Sequence, residues 1–169
     1  MTRIEKIEVD AAAARPSLEG MLLGSYLDSF NVSSLQVALR LINTSACTGE
    51  SLYVDVSFSC MATLRDGLTS PSNVGHGDFF SGRAAFLSGV YRKTGVEISG
   101  VELDSEGRLV LIMGDSAIEL VAKDEDMVDG DSVWQVVIEP PRGVGRSVGG
   151  SISCVSTGDA VIFMSGVER

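Results

Sequence analysis

Apolar and polar residues along this chain alternate with two different periods, and the period-two pattern dominates. From Leu52, the positions Leu52, Val54, Val56, Phe58, Cys60, Ala62 and Leu64 share one side, while Tyr53, Asp55, Ser57, Ser59 and Thr63 share the other. Successive strand side chains point to opposite faces, so this pattern predicts a strand with one buried and one wet face. Leu35, Val37, Leu39 and Leu41 against Gln36 and Arg40 read the same way. A polar loop over residues 43–50 separates the two runs, which predicts an antiparallel hairpin. Ile7 and Val9 against Glu8 and Asp10 suggest a further short strand.

Helical spacing is confined to two segments. In residues 17–30, Leu18, Met21, Leu22, Tyr26 and Phe30 fall three and four apart, with Ser17 as the N-cap and Pro16 stopping whatever precedes it. In residues 78–94, Phe79, Phe80, Arg83, Ala84, Leu87 and Tyr91 lie along one side, from a cap at Asp78 to a stop at Gly95. A second block of strands follows: Val96–Leu103, with a change of parity at Ser99-Gly100 that suggests a bulge, then "RLVLIM", "SAIELVA", "SVWQVVIE", "SISC" and "AVIFM". The expected fold is α+β: an antiparallel sheet or small sandwich with two amphipathic helices, in one domain over residues 1–169. Leu22, Gly24 and Tyr26 match Leu87, Gly89 and Tyr91 at a fixed offset. That match suggests duplicated helix-plus-sheet halves at residues 17–64 and 78–138.

Charge changes the picture next. The formal net charge is −10, which disfavours nucleic acid and anionic membrane as partners and suits a basic protein. The excess is densest in "KDEDMVDGDSVW", residues 123–134, where Asp124, Glu125, Asp126, Asp129 and Asp131 precede the only tryptophan, Trp134. An EF-hand loop would need an oxygen ligand at its fifth position and glycine at its sixth. Counting from Asp124, the fifth is Val128 and the glycine comes one residue late, at Gly130. The loop therefore reads as a solvated, acidic docking surface, with Trp134 as a core-edge or contact residue, rather than as a metal site.

Other chemistry is thin. "RGVGRSVGG", residues 142–150, has no Walker lysine and leads into a strand, whereas a phosphate loop opens a helix. His76, the single histidine, stands beside Asp78 and near Ser70 and Ser81. A small hydrolase-like enzyme using His76 and Asp78 is the alternative to a binding protein, although no G-x-S-x-G elbow is present. Cys47, Cys60 and Cys154 make an odd set without C-x-x-C spacing, against a disulfide framework or a zinc site. Cys60 and Cys154 fall in apolar strands as core thiols, and Cys47 is the more exposed candidate. Asp55 and Glu119 sit on the polar faces of strands. No cofactor motif is recognised, and neither a secretory signal nor an apolar run long enough for a bilayer is seen. A soluble, cytoplasmic setting is expected.

Residues 95–138 carry Val96, Val101, Gly107, Leu109, Leu111, Gly114, Ile118 and Trp134 in an order that resembles small β-rich bacterial domains of unknown function. Some of those domains neighbour polymorphic toxin genes and are suspected immunity proteins. The resemblance implies a β-meander and an immunity-like binding role, with no catalytic residues to carry over. "MGD" stands where those domains favour an aromatic followed by Asp-Gly.

Overall fold

A computed structural model describes residues 4–33, 36–43, 52–66, 79–122, 130–139 and 150–168. It is mostly antiparallel β-sheet with two helices. β1 (Ile4–Val9) leads into α1 (Ala11–Leu22), then β2 (Ser25–Val32), β3 (Val37–Asn43), β4 (Leu52–Phe58) and β5 (Met61–Asp66). α2 (Phe79–Tyr91) follows, then β6 (Gly100–Leu103), β7 (Leu109–Met113), β8 (Ser116–Val121), β9 (Ser132–Glu139), β10 (Gly150–Ser156) and β11 (Val161–Glu168). Seven strands form one sheet in the order β1-β11-β10-β9-β4-β3-β2, and four form another in the order β5-β8-β7-β6.

The first helix begins and ends earlier than its spacing predicts. Four alanines, the strongest helix formers, start it, and Asp10 rather than Ser17 caps it: Oδ1 accepts the Ala13 N–H at 2.7 Å. Pro16 lies inside α1, where it removes one hydrogen bond without stopping the helix. Ala14, Leu18, Met21 and Leu22 form the buried face. Gly24 then takes φ 77°, and from there Ser25 and Leu27 are buried in alternation. Tyr26 and Phe30, placed on a helix by their spacing, are strand residues. The offset match also pairs unlike positions, since Gly24 follows a helix while Gly89 lies within one.

α2 forms where expected but turns a different face to the core. Phe86 and Val90 are buried, with Phe86 edge-on to Phe58 at 6.1 Å between centroids. Gly89 sits so close to β5 that a Cβ there would lie 2.5 Å from Leu64 Cδ2. Ala84 is exposed and Tyr91 is 71% exposed, so the stripe running to Tyr91 is not the buried one. The Arg83 guanidinium donates to the Ser33 and Gln36 carbonyls at 2.9 and 3.0 Å, tying α2 to the β2–β3 connection.

The predicted hairpin is present as β3 and β4, from Val37 opposite Phe58 to Asn43 opposite Leu52. The long run to Leu64, however, is two strands. β4 belongs to the seven-stranded sheet and β5 to the four-stranded one, and the chain passes between them at Ser59 and Cys60. The even-numbered side stays inward because both sheets contribute to one hydrophobic cluster. A second crossing explains the parity change at Ser99-Gly100, which is not a bulge. Residues 95–98 run along the edge of β2, with Ile98 N–H donating to the Ser25 carbonyl at 2.8 Å and Gly95 N–H to that of Leu27 at 2.7 Å. One residue later Ser99 N–H donates to Ile112 of β7 at 2.8 Å, and the chain has joined the other sheet. The second block is therefore a β6-β7-β8 meander in one sheet and a β9-β10-β11 meander in the other.

Candidate functional site

The residues singled out in the sequence fall into two groups. Asp124, Glu125, Asp126 and Asp129 lie outside the described residues, as do His76, Asp78, Ser70 and Cys47. Asp131 is exposed just before β9, and its carbonyl accepts the Ser156 N–H at 2.9 Å. Trp134, three residues on, is not a contact residue. It is fully buried, tilted against Phe163 with ring centroids 6.1 Å apart, and its Nε1–H donates to the Gly107 carbonyl at 2.7 Å. The indole thus ties β9 to the β6–β7 turn of the other sheet. Gly107 is required there: its φ is +84°, and a Cβ would come within 2.8 Å of Cys154 Sγ. Cys60 and Cys154 are both buried. Burial, with a smaller contribution from Asp104, pushes the Cys154 thiol up to about 12.

Two clusters of charged side chains on the strands are paired within the fold. Glu119 is buried and accepts from Arg65 Nη2 and Arg108 Nε, one guanidinium to each oxygen. Arg108 reaches towards Glu102 at 3.9 Å, and its hydrogen bond to Glu119 raises its pKa above the ordinary arginine value. On the other sheet, Arg40 makes a two-pronged contact with Asp55, at 2.9 and 2.8 Å, and reaches Glu139 at 3.1 Å. Its hydrogen bond with Asp55, then the charge of Asp55, raise the Arg40 pKa. Such planar pairs fix orientation, and they leave these carboxylates committed to structural partners. Among the described residues there is no group of acids, histidines and cysteines able to hold a metal ion, and no buried side-chain nitrogen or oxygen lacks a partner.

Among the described residues, exposed aromatic side chains join a row across the seven-stranded sheet on the face away from the core. Tyr26 pairs with Ile42, Ile42 with Tyr53 and Tyr53 with Glu139, so all four side chains point the same way. Tyr26 and Tyr53 are 38% and 39% exposed. An acid stands at each end: Glu139 beyond Tyr53, and Glu97 beyond Tyr26, whose hydroxyl donates to it at 3.2 Å. The charge of Glu97, and then that bond, raise the Tyr26 pKa. Arg40 lies over the Tyr53 ring, 5.4 Å from its centroid, a cation–π contact. The row and Asp131 sit at opposite ends of β9, roughly 25 Å apart at the usual strand rise. Alternation already placed Tyr53 and Asp55 on the wet face. Tyr26 was hidden by its helical spacing, and Glu97 and Glu139 join the row only through pairing between distant segments.

No family model, curated protein or solved structure matches this chain. Among the described residues no helix is long and apolar enough to cross a membrane.

Proposed function

We propose that this chain is a non-catalytic, acidic binding protein that meets a basic protein partner through the carboxylates leading into β9: Asp124, Glu125, Asp126, Asp129 and Asp131. The observation that carries the reading is the local density of acid in a chain of net charge −10: five carboxylates fall within residues 124–131. It draws support from the strand arginines, since Arg40, Arg65 and Arg108 are already paired with Asp55 and Glu119 and do not offset the acids of the loop. Trp134 takes no part. The exposed Tyr26 and Tyr53 lie towards the other end of β9 and outside this surface. The two sheets act as a small sandwich-like scaffold, in a reducing cytoplasmic setting that suits an odd set of three cysteines without C-x-x-C spacing. An immunity-like role fits the charge, because proteins that act on nucleic acids often carry basic surfaces.

The test uses a panel of basic proteins and two variants of equal net charge. One changes Asp124, Asp126, Asp129 and Asp131 to Asn; the other neutralises Asp28, Glu106, Asp115 and Asp159. Binding should weaken with salt and fall at least about tenfold more in the loop variant than in the other. Equal loss in both would reduce the effect to net charge alone and remove the site.

A further inference from the structure

We propose that two copies of this chain pair through β1, antiparallel and centred on Ile7, so that the two seven-stranded sheets become one continuous sheet across a two-fold axis. The proposal is independent of the acidic loop and rests on the edge of the sheet. β1 is a terminal strand of the seven-stranded sheet: it pairs with β11 on one side, and no described strand pairs with it on the other. Such an edge presents a row of backbone donors and acceptors to any strand that can match it. α1 leaves β1 to pack over β6, β10 and β11, away from that edge. Glu5, Lys6, Ile7 and Glu8 are all exposed, and Ile7, at 53%, is more exposed than Leu23 or Val32.

Charges on an edge strand ordinarily repel other strands, and here they select a single self-pairing. An isologous two-fold contact sets each residue opposite a fixed partner. With the axis at Ile7, the two Ile7 side chains meet, and Lys6 of each copy stands opposite Glu8 of the other, giving two opposite-charge pairs on one face. With the axis at Lys6, two lysines oppose one another. With the axis between Lys6 and Ile7, Glu5 of each copy opposes Glu8 of the other. Of these registers, only the Ile7-centred one covers the exposed isoleucine and sets no like charges opposite one another, with Glu5 standing opposite Val9. Like charges directly across a pair of strands are destabilising and opposite charges stabilising. A one-residue slip would also turn each side chain to the wrong face.

Sedimentation of the full chain over a range of concentrations reads the proposal out, with the 17.8 kDa mass of one chain giving way to twice that mass as concentration rises. Lys6→Glu sets Glu against Glu8 and should weaken the dimer at least about tenfold, since two attractive pairs become repulsive. Glu8→Lys sets Lys6 against Lys and should weaken it similarly, although it lowers the net negative charge. The double variant K6E/E8K keeps the net charge, restores two opposite pairs and should restore the dimer. A chain that stays at 17.8 kDa at every concentration overturns the proposal. So does a dimer indifferent to both single changes, or one that Lys6→Glu weakens and Glu8→Lys strengthens, which would follow net charge and not register.

Discussion

Trp134 and Cys154 stand opposite each other on β9 and β10, and each has a measurable consequence. Trp134→Phe keeps the ring but leaves the Gly107 carbonyl without its donor, at a cost of about 1–3 kcal/mol for an unsatisfied buried group. Trp134→Ala adds a cavity and should cost about 3–5 kcal/mol. Urea unfolding monitored by circular dichroism ranks them, and a Trp134→Phe variant as stable as the wild type would deny the hydrogen bond a role. Cys154 makes stability depend on pH. Below its ordinary value of 9.0 the thiol is neutral in both states; between 9.0 and about 12 it ionises only when the chain unfolds. The folded state therefore holds the extra proton, and stability falls as pH rises through that window. Cys154→Ala should flatten this fall relative to the wild type, and identical pH profiles would contradict it. Little of this was legible in the sequence. Trp134 lies in an apolar strand next to an acidic loop, and only the distant Gly107 decides that it faces the core.

At the scale of elements, two glycines four residues apart should respond with opposite signs. Gly20 lies inside α1 with open space around its Cβ position, so Gly20→Ala should stabilise by about 0.5–1 kcal/mol through helix propensity. Gly24 at φ 77° ends the helix in a left-handed conformation, so Gly24→Ala should destabilise by about 1–2 kcal/mol. Thermal melting of the pair checks both, and a shift of the same sign in each would refute the boundary. This is also where sequence reading failed. Leu18, Met21 and Leu22 are helical, and Tyr26 and Phe30 happen to continue their spacing, so periodicity ran through the break that Gly24 imposes. Pro16 misled in the other direction, because alanines and the Asp10 cap hold the helix together around it. Alternation did better wherever one face meets the core: β3, β4 and β7 to β11 were all readable as strands. It could not show which sheet each strand joins, because pairing between distant segments has no local signature. The parity change at Ser99-Gly100 was the one visible trace of a crossing.

For the whole molecule, repeated crossings of the chain couple the sheets. Ser59 and Cys60 carry the chain from β4 to β5, residues 95–98 carry it from the edge of β2 towards β6, and Trp134 reaches across to Gly107. Both sheets should then unfold in one transition. Hydrogen exchange at Leu111 and Ile118 in one sheet should match that at Val54 and Val136 in the other, and should shift with them in denaturant. A four-stranded sheet that exchanges well before the seven-stranded one would disprove the coupling. The same threading bears on how this architecture could be divided. A fragment holding only residues 61–121 would set the apolar undersides of β7 and β8 against water, and the remainder would lose the lid over Trp134 and Cys154. Neither piece could be lent to another protein as a ready-made module, so any new binding surface must be worked into the exposed rims and loops while both layers stay in place.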